Sequence, residues 1–448
     1  MHFKIKQGKG LKGEITVPGD KSITHRAIML ASLADGISEI SGFLEGDDCL
    51  TTIKVFQKMG VSISRQEGKV LVEGKGTKGL EDPSSPLDFG NSGTSVRLCA
   101  GVLAAQEFSS SLIGDSSLSS RPMARITEPL GLMGADILSS YKGTLPIKVE
   151  PVASLKSIKY SLPVASAQVK SCLLFAGLYS EGITEIEEKI TTRDHTERMF
   201  QQFGIPIEIS KSKVAKLIQL NKVESINPTN INICGDFSSA SFFILAALII
   251  PNSELIIRNV GVNPTRIGFL HALRHMGANI DLQNQTNSLE PTADIVVKTS
   301  NLKGITLNTN LVANMIDEMP VFFIAASLAE GTTKVKGAKE LRTKESDRLQ
   351  VMSEALDSFG VKFRLEDDGI TIYGIGKDGT FRSTEIDSCG DHRIAMASSI
   401  GSLRADGETS ILDCLNVNTS FPNFVDVCRQ VGINIEKYEQ SDSSSYNN

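Results

Sequence analysis

Hydrophobic and polar positions along the chain fall into two patterns that recur together six times. In one, a stretch with helical apolar spacing ends in Gly and passes into apolar–polar alternation: FQKMGVSI around Gly60, GLMGADI around Gly134, FQQFGIPI around Gly204, LRHMGANI around Gly277, LDSFGVKF around Gly360 and CRQVGINI around Gly432. The first spacing predicts an amphipathic helix and the alternation a strand. The Gly between them suits the left-handed residue that ends a helix. Successive glycines are 74, 70, 73, 83 and 72 residues apart.

The second pattern lies upstream: a helix rich in small residues and apolar on nearly every side, followed by a strand. HRAIMLASLADGISEIS, VKSCLLFAGLYSEGITEIE, FFILAALIIPNSELIIRN and VFFIAASLAEGTTKVKG are examples. Helices without a polar face belong in a core. A further strand follows most of the glycines, as in KVLVEG, DIVVK and GITIYG. One unit therefore reads as buried helix, strand, amphipathic helix, strand, strand. Six such units exceed one core and suggest two globules of three. Each is about twice the length of a usual solenoid repeat, which disfavours an open solenoid.

Composition narrows the class. Of 448 residues, 40% are hydrophobic, and 46 Lys and Arg against 52 Asp and Glu leave a net charge of −6. An acidic chain without Trp is a poor match to nucleic acid, which calls for clustered cations and stacking surfaces. No apolar stretch reaches the ~20 residues of a membrane helix, and the amino terminus lacks a signal-peptide core. Seven scattered cysteines without a C-x-x-C pair point to a reducing, cytoplasmic setting and to no zinc site.

Candidate chemistry gathers where the buried helices begin. Those starts read GDKSITHRA, FGNSGTSVRL, PVASAQVKS, CGDFSSASFF, ANMIDEMPVFF and SCGDHRIAMA. Helix N-termini carry free N–H groups and positive potential, so they suit anions. Ordinary capping accounts for Ser238 and Ser239. It does not account for Lys21, Arg26 and Arg393, since a cation at a helix start needs an offsetting anion, and Lys21 and Arg393 fall in first turns. Three loops add charge: Arg121 and Arg125 in GDSSLSSRPMAR; Arg193, Asp194 and His195 in TTRDHTER; and Lys344, Glu345, Asp347 and Arg348 in ELRTKESDR.

Other signals fall away. Three G-x-G-x-x-G strings begin at Gly8, Gly74 and Gly374, but none opens a helix, as a dinucleotide site requires. No phosphate-loop motif of the G-x-x-x-x-G-K type is present. His271 and His275 share a helical face without a third ligand nearby.

PGDKSITHRA, FGNSGTSVRL, RPMAR, ASAQVKS, MIDEMP, RTKESDR and DHRIAMA, in this order, resemble the 5-enolpyruvylshikimate-3-phosphate synthase family, in wording its class II branch. The likeness runs from about residue 10 to 435. It implies an α/β protein, a two-domain inside-out α/β barrel with three βαβαββ units per domain. One domain would be discontinuous, 1–19 with 235–448, and the other would be 20–234, with the active site in the cleft between them. The tail 438–448, with its SDSSSYNN ending, has no counterpart and is expected to be disordered.

The resemblance implies transfer of the enolpyruvyl group of phosphoenolpyruvate to the 5-hydroxyl of shikimate 3-phosphate, with release of phosphate. It implies a monomer using no metal or organic cofactor. Lys21, Ser22, Arg26, Ser166, Ala167, Gln168, Arg193, Asp317 and Lys344 would bind shikimate 3-phosphate. Lys21, Asn91, Gly93, Arg121, Gln168, Arg348 and Arg393 would bind phosphoenolpyruvate. Asp317 would be the base for the 5-hydroxyl, with Glu345 and Lys21 carrying protons to and from the methylene carbon. Two anionic substrates call for concentrated cations even in a net-acidic protein, and cations around Asp317 favour the charged form a base needs.

The chain departs from parts of the family pattern. Thr419-Ser420-Phe421-Pro422 stands where some members carry Lys before Phe-Pro. Gly93 leaves room beside phosphoenolpyruvate, where inhibitor-tolerant members carry Ala, so glyphosate is expected to compete. Two other readings stay open on the residues. The UDP-N-acetylglucosamine enolpyruvyl transferases share the chemistry but place a Cys in the loop that is GDSSLSSRPM here. A non-catalytic, repeat-built scaffold would gain nothing from the concentrated charge.

Overall fold

The computed structural model describes residues 1–439. The predicted units are present as six sheets, five of four strands and one of three. In a complete unit a short strand runs parallel to the strand after the buried helix, and two antiparallel strands follow. The sheet Leu87–Asp88, Ser110–Ile113, Ile147–Glu150 and Asp136–Ser139 has this order. The buried helices Gly93–Leu103, Ala167–Gly177 and His392–Gly401 each cross between two parallel strands, the connection such pairs require. All six predicted glycines have positive φ, from 74° at Gly204 to 93° at Gly277, and each lies just past its amphipathic helix.

The chain divides into two compact units. One comprises Met1–Val17, Gly235–Thr286 and the chain from Thr292 on; the other comprises Pro18–Cys234 and Asn287–Pro291. The short stretch 287–291 thus groups apart from the residues on either side of it, which the reading of the sequence did not anticipate.

Within each unit three helices form the middle and three sheets surround them. In the second unit these helices are Lys21–Leu33, Gly93–Leu103 and Ala167–Gly177. In the first they are Phe237–Ile249, Met319–Ser327 and His392–Gly401. Every residue of Phe237–Ile249 and of Met319–Ser327 is buried, as their lack of a polar face demands. Two separate apolar cores result, one per unit.

Three sheets are completed by distant chain, which local pattern does not reveal. His2–Ile5 pairs with Thr409–Leu412 and Ile435–Tyr438. Lys12–Ile15 runs parallel to Glu254–Gly261, and Ile231–Asn232 parallel to Ile37–Ser41. In the fifth unit the short strand is reduced to isolated bridges at Lys303 and Thr306, leaving three strands. Tyr438, assigned above to the unstructured tail, instead closes the last strand opposite His2. The rest of that tail, 440–448, lies outside the described residues. Among the described residues no helix is long and apolar enough to cross a membrane.

Candidate functional site

The predicted helix starts are starts in fact, each with a distinct cap. Asp20, Ser92 and Ser166 accept from backbone N–H groups in the first turns of the second unit's inner helices. Asp236 and Asp391 do the same in the first unit, while Glu318 occupies the cap position without a side-chain bond to its helix.

In the second unit, Lys21 is the first residue of its helix and forms an ion pair with Asp48, largely buried at the start of the Asp47–Lys58 helix. Ser22 follows it, and the Ser22 carbonyl accepts from Arg26 Nη1 at 2.8 Å. Arg26 is only 3% exposed; its Nε donates to Thr196 Oγ1 at 2.7 Å and its Nη2 to Ser171 Oγ at 2.8 Å. Burial lowers the Arg26 pKa to about 10, with Glu197 and Asp20 opposing the shift. It remains a cation at neutral pH. His25 beside it is fully buried, and its Nδ1 is hydrogen-bonded to Thr52 Oγ1 at 2.7 Å. Its pKa falls well below the usual value through burial and the charges of Lys21 and Arg26, so the ring is neutral.

A second group surrounds the Gly93 helix start. Arg121, 6% exposed, donates from Nη2 to Asn91 Oδ1 at 2.5 Å, and Asn91 donates to Asp115 Oδ2 at 2.6 Å. Gln168 accepts from Arg97 Nη1 at 2.6 Å and donates to Thr94 Oγ1 at 3.0 Å. A Cβ on Gly93 would sit 3.0 Å from Arg121 Nη1 and 3.1 Å from Arg97 Nη1. The missing side chain is what lets two guanidinium groups approach this helix start. Ser166 caps the helix that Ala167 opens. Arg193 is half-buried in the loop before the His195–Gln202 helix.

In the first unit, four predicted residues meet. Asp317 Oδ1 lies 3.4 Å from Arg348 Nη1, and its Oδ2 lies 3.6 Å from Arg393 Nη2. Arg393 Nη1 also donates to the Asp317 carbonyl at 3.2 Å. Arg348, 1% exposed, is held by Asp391 at 2.8 Å and Glu345 at 2.5 Å. Burial works against its charge, but Asp391, Glu345 and Asp317 outweigh that and raise its pKa. Lys344 sits 3.8 Å from Glu340, and burial lowers its pKa despite the pull of Asp317.

The helix dipole disfavours cations at Lys21 and Arg393, from which the sequence leads one to expect a bound anion at each. The chain itself supplies the offset, through Asp48 for Lys21 and Asp317 for Arg393. Their charge is compatible with an anion site but does not demand one.

Sequence reasoning also passed over the residues that hold the cations. Neither Asp48 nor Asp391 nor Arg97 is singled out by the sequence pattern. The i, i+4 spacing of Arg97 from Gly93 was the available signal. A buried set in the first unit was likewise missed. Arg266 Nη2 donates to Asp236 Oδ1 and Ser238 Oγ, both at 3.0 Å, and Ser238 donates to Glu318 next to Asp317. The capping expected of Ser238 and Ser239 belongs instead to Asp236, and both serines lie within the helix. Thr419, in place of the family Lys, spends its hydroxyl on the Asn416 carbonyl at 2.7 Å.

Comparison with known proteins bears on the whole chain. Residues 5–428 match the family model described as EPSP synthase (3-phosphoshikimate 1-carboxyvinyltransferase). A 3-phosphoshikimate 1-carboxyvinyltransferase of Hydrogenovibrio crunogenus is 49% identical over 442 residues, covering 98% of this chain and 99% of its own. One from Methylococcus capsulatus is 48% identical over 436 residues, covering 97% and 98%. A solved EPSP synthase of Acinetobacter baumannii superposes with a TM-score of 0.85 at 45% identity, over 97% of this chain and 99% of that one. The enolpyruvyl transferase NikO of Streptomyces tendae shares the fold, with a TM-score of 0.78 at 14% identity over 97% and 98% of the two chains.

Proposed function

The chain belongs to the EPSP synthase (3-phosphoshikimate 1-carboxyvinyltransferase) family, and from that premise we propose how its own residues perform the reaction. The enzyme moves the enolpyruvyl group of phosphoenolpyruvate to the 5-hydroxyl of shikimate 3-phosphate and releases phosphate, a step toward chorismate and the aromatic amino acids. The observation that carries the residue assignment is Asp317, a carboxylate flanked by Arg348 at 3.4 Å and Arg393 at 3.6 Å. Two guanidinium groups stabilise negative charge on it, which is what a base requires.

In this reading Asp317 takes the 5-hydroxyl proton as the oxygen attacks C2 of phosphoenolpyruvate, while the methylene carbon gains a proton. The tetrahedral intermediate then loses phosphate, and the new methyl group gives up a proton to restore the double bond. Lys21 and Glu345 handle the protons at carbon. Arg348 and Arg393 in the first unit, with Arg121, Asn91, Gly93, Gln168 and Lys21 in the second, take phosphoenolpyruvate. Arg26, Ser22, Ser166, Ala167, Gln168, Arg193 and Lys21, with Asp317 and Lys344, take shikimate 3-phosphate. Helix starts and paired arginines suit these phosphates and carboxylates. The seven scattered cysteines, with no C-x-x-C pair, favour a cytoplasmic setting.

A phosphate-release assay with both substrates tests the assignment. Asp317→Ala is expected to lower turnover about 10²–10⁴-fold while calorimetry still detects shikimate 3-phosphate binding. A variant that keeps more than a tenth of the wild-type turnover would remove Asp317 from the role of base.

A further inference from the structure

Arg26 is aimed by a hydroxyl pair on two other helices. Thr196 Oγ1 and Ser171 Oγ lie 2.7 Å apart, and each accepts from Arg26, at 2.7 and 2.8 Å. Ser171 is on the Ala167–Gly177 helix and Thr196 on the His195–Gln202 helix. The preceding residue on one helix and the following residue on the other form a second rung, with Lys170 Nζ 2.8 Å from Glu197 Oε1. All four are within 1% of complete burial. Lys170 and Glu197 are tied in turn to Glu188 at 2.9 Å and Lys216 at 2.9 Å.

An arginine side chain has many rotamers, and fixing it on a flexible stem is costly. Here the guanidinium plane is defined by three acceptors: Thr196, Ser171 and the Ser22 carbonyl. Of the five N–H donors of a guanidinium, these take one on Nε and one on each terminal nitrogen. One N–H on each terminal nitrogen is left, a pair suited to a carboxylate or phosphate.

We propose that Thr196 and Ser171 are positioning residues for Arg26, and that the Lys170–Glu197 rung sets their separation. Resting on the assignment of Arg26 to shikimate 3-phosphate above, the inference makes recognition of that substrate, and not of phosphoenolpyruvate, depend on two hydroxyl groups that touch neither.

The test is the steady-state kinetics of the full chain, with each substrate varied in turn. Thr196→Val keeps the side-chain shape and removes the hydroxyl. It is expected to raise KM for shikimate 3-phosphate about tenfold, the scale of a hydrogen bond to a charged group. KM for phosphoenolpyruvate and kcat stay within about twofold. Thr196→Ser, which restores the hydroxyl, returns KM to within about threefold of wild type. Ser171→Ala provides the same readout should Thr196→Val fail to fold. A purely structural role would lower the unfolding temperature without separating the two KM values. Unchanged KM for shikimate 3-phosphate, an equal rise for both substrates, or no rescue by Thr196→Ser overturns the positioning role while leaving the reaction intact. A wild-type chain that releases no phosphate overturns the functional reading itself.

Discussion

Replacing Lys170 by Met probes the buried charge beneath the Arg26 site. Lys170 is inaccessible to solvent and lies 2.9 Å from Glu188 and 2.8 Å from Glu197. The change leaves two buried carboxylates with Lys216 alone, 2.9 Å from Glu197 and 3.7 Å from Glu188. A group of two cations and two anions becomes one with a net negative charge. Removing one member of a buried pair typically costs about 3–5 kcal/mol, because the partner stays uncompensated away from water. At about 2–4 °C per kcal/mol for a unit of about 220 residues, the unfolding temperature should drop by roughly 6–20 °C.

The sign of the pH dependence follows from the two shifts. Burial opposes the charge on Lys170, but Glu197 and Glu188 raise its pKa above 10.5, so its stabilisation is complete below that value and is lost only in strong alkali. Burial also opposes the charge on Glu197, but Lys170 and Lys216 lower its pKa, so its stabilisation holds above the ordinary 4.5 and is lost as pH falls through the lowered value. In Lys170→Met the Glu197 carboxylate keeps only Lys216 as a cationic partner and takes up a proton more readily, so acid relieves the variant. The gap between wild type and variant is therefore wide at pH 7.5 and narrows toward pH 5. Scanning calorimetry at a fixed scan rate reads it, with Lys222→Met as the control, since the Lys222–Glu181 pair is at the surface and should leave no resolvable shift. A gap below 2 °C at pH 7.5, or one that widens with acid, would refute the reasoning.

Two further outcomes follow from the site. Gly93→Ala places a methyl 3.0–3.1 Å from the ends of Arg121 and Arg97, so KM for phosphoenolpyruvate should rise severalfold and the inhibition constant of glyphosate by more than tenfold; inhibition that does not change contradicts this. Partial burial lowers the Lys344 pKa below the ordinary lysine value of 10.5, so kcat/KM for shikimate 3-phosphate should fall on an alkaline limb centred below that value. Lys344→Arg should move the limb to higher pH, and a limb that stays in place would assign it to another group.

The six-fold pattern was legible because each unit carries its own punctuation: an apolar helix, a strand, and a Gly whose positive φ ends the amphipathic helix. The three strand exchanges were not. Lys12–Ile15 finds its partner at Glu254–Gly261 and His2–Ile5 at Thr409–Leu412, and only tertiary packing selects between edges of similar composition. The charged motifs likewise showed which cations matter but not what holds them. Asp48 faces Lys21 across a helix pair, and Thr196 meets Arg26 from 170 residues away. A threonine in a helix has no local mark that separates a hydroxyl receiving an arginine from one facing solvent.

The cost of those hidden partners is itself informative. Buried ion pairs are weak sources of stability, because desolvation cancels much of their attraction and an apolar replacement of both partners is often as stable. Yet both units place such groups directly under their inner helix starts. Lys170, Glu188, Glu197 and Lys216 lie behind Arg26 in one. Arg266 with Asp236 and Glu318, and Arg348 with Asp391, lie behind Asp317 and Arg393 in the other. Apolar side chains would fill the same volume but would leave each long cation free to choose among rotamers. Directional bonds at both ends of a guanidinium remove that freedom before any substrate arrives, which lowers the ordering cost of binding. Buried charge in this chain is thus best understood as the means of aiming a few arginines, with stability as the quantity given up for it.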